Sequence, residues 1–170
     1  MRQTTLCYIE KDDKVLMLYR NKKEVDINKG KWIGVGGHVE ENETIDECLI
    51  REVKEETGLN LLEYKKCGKI IFYIDNIIEE CYLYRGLSFT GELITCSEGE
   101  LKWISKDEIL SLNLWEGDYL FLNKMYNDDN YFEMELVYVN DKLISYKVKE
   151  WYYDISKVNS TGSRKSSRIW

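Results

Sequence analysis

Three glutamates, Glu52, Glu55 and Glu56, are spaced i, i+3, i+4. On an α-helix that spacing puts their carboxylates on one face within a single turn. Like charges so placed repel by roughly a few tenths of a kcal/mol per pair, and by more where water is excluded. Two readings are open at this point. Charged runs ordinarily coat a solvated helix face. Alternatively, the carboxylates hold a hard cation: Mg²⁺, with Mn²⁺ as a substitute, takes oxygen ligands, keeps several waters and shares its remaining positions with substrate phosphates. Glu40, Glu41 and Glu43 precede these residues, and Gly34, Gly36 and Gly37 lead into them, so acid is concentrated around one entry point. On the metal reading, Glu55 and Glu56 face solvent or metal rather than core.

Five residues separate Gly37 from Glu43 and seven separate Glu43 from Arg51, after which the chain reads Arg51-Glu52-Val53-Lys54-Glu55-Glu56-Thr57-Gly58-Leu59. This segment resembles the Nudix box, G-x5-E-x7-R-E-U-x-E-E-x-G-U with U aliphatic, at all nine specified positions across 23 residues, a specific signal where a lone glycine motif is not. The resemblance implies a Mg²⁺-dependent hydrolase of nucleoside diphosphate derivatives. It also implies the Nudix fold, an α/β protein of the α+β type whose mixed β-sheet is sandwiched between helices. Carried over position by position, Glu52, Glu55 and Glu56 are the metal ligands, one of them also orienting or deprotonating the attacking water. The Gly36 carbonyl adds a metal contact. Arg51 pairs with Glu43 and holds the helix, since ligating carboxylates need fixed orientations. The implied chemistry is metal-assisted displacement at phosphorus.

From Thr4 to about Lys149 the chain is also similar, more loosely, to the MutT-type 8-oxo-dGTP diphosphatases and related oxidised purine nucleoside triphosphatases. Lys31-Trp32-Ile33-Gly34-Val35-Gly36-Gly37 resembles their strand before the box. Arg20 falls where they place a basic residue near the phosphates, and Thr5 falls at a pocket position. Trp115-Glu116-Gly117-Asp118 resembles their base-contacting segment, which implies that Trp115 stacks on a purine and Asp118 reads its edge. Ile33 stands where the better-studied pattern has an asparagine, and Gly117 replaces an acidic neighbour of Asp118. On residue type alone, Trp115 is equally a core residue and Arg20 a surface one. Glu98 and Glu100 both precede Trp103, where relatives supply a further carboxylate for metal or water; counting from Trp103 favours Glu98. His38, the sole histidine, has at most a phosphate contact as its expected role. The substrate so implied is a nucleoside triphosphate, cleaved to monophosphate and pyrophosphate in nucleotide-pool sanitation, a form of DNA repair. The alternatives are another nucleoside diphosphate derivative, or a Nudix-like nucleotide-binding domain without turnover, which intact Glu52, Glu55 and Glu56 disfavour.

The elements that must position these groups are legible from local pattern. Thr44-x-x-Glu47 is a capping box, Ile45, Leu49 and Val53 recur at i, i+4, i+8, and Gly58 supplies a stop, which predicts a helix over Ile45–Thr57. Thr4–Glu10 and Val15–Arg20 read as a hairpin around Asp12 and Asp13, Asn21–Lys31 as a loop, and Trp32–Val39 as short extended pieces. Further strands are expected at Tyr64–Tyr73, Glu80–Phe89, Leu101–Ile104, Phe132–Val139 and Leu143–Lys149, with helical stretches at Lys106–Ser111 and Glu116–Tyr126. Strands flanking isolated helices point to a mixed sandwich rather than a regular βαβ repeat.

With 170 residues, 44% of them hydrophobic, one domain over residues 1–154 is expected, followed by a basic, mobile tail over residues 155–170. Five dispersed cysteines without a C-x-x-C pair read as buried small hydrophobes. The net charge of −7 repels a polyanion, so no polynucleotide partner is expected. Apolar runs are too short to span a membrane. A soluble, cytoplasmic monomer or homodimer is the expectation.

Overall fold

The computed structural model of the protein describes residues 1–153 and 166–169. Strands β1 (Arg2–Lys11) and β2 (Lys14–Arg20) form the expected hairpin, with Lys11 opposite Lys14. Its two central residues, Asp12 and Asp13, have φ of 51° and 64°, the left-handed pair that a two-residue turn needs to match strand twist. Then come β3 (Trp32–Ile33), β4 (Val35–His38) and α1 (Ile45–Thr57). A long hairpin of β5 (Asn60–Ile74) and β6 (Ile77–Thr90) follows, then β7 (Gly99–Ser105) and a 3-10 turn at Lys106–Ser111. The chain continues through α2 (Glu116–Asn127), β8 (Phe132–Val139), β9 (Lys142–Tyr153) and β10 (Ser166–Ile169).

The strands make one mixed sheet in the order β10-β9-β8-β5-β6-β1-β2-β3, with β4 added to β1 and β7 to β2. The β1–β6 and β5–β8 pairings are parallel and the rest antiparallel. Both faces of β1 and β2 are buried, which period-two alternation resolves into two cores. Cys7, Ile9, Leu16 and Leu18 pack with Leu49 and Val53 of α1. Tyr8, Val15 and Met17 pack on the opposite side with Phe121, Leu122 and Met125 of α2 and Ile109 of the 3-10 turn. Burial of this kind contributes about 1.5–3 kcal/mol for each large apolar side chain, so the central strands are fixed from both sides.

Helix α1 is specified by its own ends. Thr44 accepts from the Glu47 N–H while the Glu47 side chain accepts from the Thr44 N–H, and Gly58 closes the helix at φ 83°, where a side chain would be strained. The expected basic tail falls largely outside the described residues; of it, 166–169 pair with β9, Ile169 opposite Glu150. Among the described residues no helix is long and apolar enough to cross a membrane.

Candidate active site

Helix α1 packs against β4 with its glutamates at the contact. A Cβ on Gly37 would lie 2.5 Å from the Glu52 carboxylate, so a glycine there is what lets the acid sit against the strand. Glu52 and Glu55 are bound to one another through Arg51, whose Nη1 donates to Glu52 Oε1 at 2.8 Å and to Glu55 Oε2 at 3.2 Å. The same guanidinium grips Glu43 through two parallel bonds, Nε to Oε2 at 2.6 Å and Nη2 to Oε1 at 2.9 Å, and Nη2 also reaches the His38 carbonyl at 3.0 Å. Arg51 thus ties the loop before α1 to the helix and to β4. The hydrogen bonds from Arg51 hold the Glu43 carboxyl down at about 2.

Glu55 is exposed, but Glu56 is not: its residue exposure is 9%. Of the two expected to face solvent or metal, Glu55 faces solvent, while Glu56 is turned towards Gly36 and Glu98. Successive helix positions are turned by about 100°, which carries Glu56 under α1, where its Oε2 accepts from the Gly36 N–H at 2.9 Å. Burial, with the adjoining Glu98 carboxyl and the charge of Glu52, pushes Glu56 well above the usual carboxylate range, against the Gly36 bond. Burial opposes ionisation of Glu98 too, but its bond with Glu56 and the nearby Lys23 and Arg20 hold it low. Two carboxyls so close oppose each other's ionisation. Glu52 is raised by burial against the pull of Arg51, with Glu55 and Glu98 adding to the rise.

Of the two glutamates before Trp103, Glu98 is the one at the site. Its Oε2 accepts from Arg20 Nη1 at 2.8 Å and its Oε1 from Lys23 Nζ at 3.1 Å, while Arg20 Nε binds Asp26 at 2.7 Å. Arg20 is mostly buried in this bridge. Glu52, Glu56 and Glu98 offer only hard carboxyl oxygens, two of them raised in pKa by burial and by their acidic neighbours, and that donor set fits a divalent cation. Among the described residues no three acidic, histidine or cysteine side chains are already converged around an ion position; Arg51 spans Glu52 and Glu55 instead.

On the opposite face of the sheet lies a cavity of about 290 Å³. Trp115, Asp118 and Ile33 line it together with Leu6, Asn28, Phe72, Cys81 and Tyr138. Trp115 stands at the N-cap of α2, its Nε1 donating to Asn28 Oδ1 at 2.8 Å, its ring edge-on to Tyr138 and capped by Lys31 Nζ at 5.1 Å from the centroid. Asp118 lies one turn further, 5% exposed, and burial raises its carboxyl to about 8 in spite of Lys31. It is therefore mostly protonated at neutral pH and able to donate as well as accept. Thr5 is not in this cavity. Its hydroxyl lies 3.5 Å from Cys48 Sγ of α1, because odd positions of β1 face α1; the cavity wall takes its neighbour Leu6. Sequence reasoning missed Asn28, Leu6 and the β5, β6 and β8 residues. The alternation of β1 could have suggested Leu6, whereas Phe72 and Tyr138 arrive through strand pairing that leaves no local mark.

The NUDIX domain family model matches residues 1–125. An uncharacterized Nudix hydrolase, YvcI, of Bacillus subtilis is 29% identical over 155 residues, covering 87% of this chain and 94% of that protein. An oxidized purine nucleoside triphosphate hydrolase of Danio rerio is 26% identical over 148 residues, covering 86% and 93%. Among solved structures, the mutator MutT protein of Bacillus halodurans superimposes with a TM-score of 0.79 at 26% identity, covering 87% of this chain and 97% of that one. The family match takes in α1, the strands under it and most of α2, and the likeness of fold continues beyond it: the chain belongs to the Nudix hydrolase family.

Proposed function

We propose that this chain hydrolyses a purine nucleoside triphosphate, oxidised purines included, to the monophosphate and pyrophosphate. The observation that carries this reading is the placement of a mostly apolar cavity, with Trp115 and the buried Asp118 in its wall, one strand away from the carboxylates of α1. A base fits such a cavity, and the phosphates then extend past β4 towards Glu52. The Danio rerio relative, an oxidized purine nucleoside triphosphate hydrolase, supports the same class. Mg²⁺ or Mn²⁺ is the proposed cofactor, held by Glu52, Glu55, Glu56 and Glu98 with the Gly36 carbonyl; when bound it supplies charge neutralisation at phosphate oxygens and a bound water of lowered pKa. Arg51, anchored on Glu43, orients Glu52 and Glu55. Arg20 and Lys23 fix Glu98 and bring positive charge to the phosphate end. Glu56, whose ionisation burial and Glu98 oppose in the free protein, would ligate the cation as a carboxylate, the added positive charge favouring that form. Trp115 stacks on the base and Asp118 bonds its edge.

The test is turnover of a nucleotide panel with Mg²⁺ in ¹⁸O-labelled water, with both products identified. Monophosphate and pyrophosphate are expected, one of them carrying the label, and Glu56→Gln lowers kcat by roughly 10²–10⁴ in a protein that still folds. Stepwise release of orthophosphate, or turnover of sugar nucleotides in place of triphosphates, rejects this reading.

A further inference from the structure

The mouth of the cavity carries a polar cluster that none of the roles above uses. Glu79 of β6 lines it with Arg2 of β1 and His38 of β4. Arg2 and Glu79 are direct partners in the parallel β1–β6 pairing, and Thr4 is opposite His38 across β1–β4. Glu79 Oε2 accepts from Arg2 Nη2 at 2.8 Å, and Oε1 accepts from Thr4 Oγ1 at 3.3 Å. His38 Nε2 stops at 3.7 Å from Oε2, too far for a hydrogen bond. A carboxylate has about four lone-pair sites. Two are taken, so Glu79, with a side chain only 18% exposed, keeps acceptor capacity towards the cavity.

Period-two alternation decides which part of a substrate meets this cluster. Gly37 is directed at Glu52 and His38, the next residue, at the cavity, so the route from the base end to the carboxylates of α1 passes the end of β4. On the nucleotide reading above, on which this inference rests, the sugar lies there. An anionic acceptor repels phosphate and welcomes a hydroxyl donor. We propose that Glu79, oriented by Arg2 and Thr4, is a specificity-determining residue that accepts a hydrogen bond from a hydroxyl of the substrate's sugar.

The test compares dGTP with its 2′,3′-dideoxy analogue on the wild type, Glu79→Ala and Glu79→Gln. The wild type is expected to favour dGTP by about 10- to 100-fold in kcat/KM, mainly through KM, the scale of one hydrogen bond to a charged group. In Glu79→Ala the preference collapses to within about 3-fold, and Glu79→Gln falls between, since a neutral acceptor bonds about half as strongly. A purely structural role would lower both substrates alike. Indifference of the wild type to the hydroxyl, or a preference that survives in Glu79→Ala, overturns the proposal. Should the alanine variant not fold, an undiminished preference in Glu79→Gln overturns it equally. 2′-Deoxyguanosine and 2′,3′-dideoxyguanosine titrated against tryptophan fluorescence give the corresponding ratio without turnover. If no triphosphate is hydrolysed, the proposed function falls while this binding ratio still decides the role of Glu79.

Discussion

Asp118 shows how one residue's surroundings set its charge and, through it, stability. Its carboxyl is buried with no side-chain hydrogen bond among the described residues, and burial lifts it from 3.8 to about 8. The folded chain therefore binds a proton that the unfolded chain releases between about pH 4 and pH 8, so this group's contribution to stability falls as pH rises through that window. Above it the loss is complete. Asp118→Asn removes the term. At pH 8 the variant should melt higher than the wild type by at least about 2–4 °C, the shift 1 kcal/mol gives in a chain of this size, and the two curves should converge near pH 4. Parallel melting curves across that range would show that Asp118 ionises freely. Trp115-Glu116-Gly117-Asp118 singled out Asp118, but the rise of its pKa was not legible there, because it depends on a cavity walled by residues of six strands, β1, β3, β4, β5, β6 and β8. Ile33 does line that cavity, and no asparagine replaces it there; Asn28 instead spends its amide oxygen on holding Trp115.

Helix α1 and the strands beside it differ in how far local sequence defines them. Every signal for α1 lies within it or next to it, in Thr44, Glu47, Gly58 and the apolar spacing, and the helix spans Ile45–Thr57 as those signals predict. Thr44→Ala removes the hydroxyl that accepts from the Glu47 N–H and leaves only the bond from the residue-44 N–H to the Glu47 carboxylate. It should cost about 1 kcal/mol, read as a fall of about 2–4 °C in Tm, with kcat nearly unchanged because Arg51 still anchors the helix to Glu43 and β4. A large loss of turnover at full stability would instead mean that the cap sets the positions of the carboxylates. In contrast, α2 starts at Trp115 with no side-chain cap, its first turn being given over to the cavity. The misplacement of Thr5 has the same origin. A strand with both faces buried reads as apolar throughout, and only its pairing with β4 and β6 tells odd positions from even ones.

Across the whole molecule the sheet keeps two compartments apart, with the α1 carboxylates on one face and the cavity on the other. Gly37→Ala and Trp115→Ala should therefore fail in opposite ways. The added methyl in Gly37→Ala meets the Glu52 carboxylate and should cut kcat while leaving nucleoside binding in the cavity within about 3-fold, since one buried side chain is displaced on the far side. Trp115→Ala should raise KM for a purine triphosphate about 5- to 150-fold, with a smaller change in kcat, from a stacking contribution of about 1–3 kcal/mol. Steady-state kinetics with parallel fluorescence titrations separates the two patterns, and equal losses of kcat and affinity in both variants would rule out the division.

The compartments touch along β4, where consecutive residues Gly37 and His38 face opposite ways. A strand has no intermediate direction, so on the proposed function recognition and bond cleavage would be separated there by one peptide unit. Mutational drift in the cavity can thus change which molecule is held without passing through forms that have lost the reaction. On the proposed function, a gene duplicate would acquire a new cargo by altering Ile33, Phe72 or Glu79, which line the cavity, while Arg51 and its carboxylates stay as they are. The opposite order is closed to it: a lengthened β4 would turn both faces over at once, exchanging the glycine for the histidine, and leave neither compartment in working order.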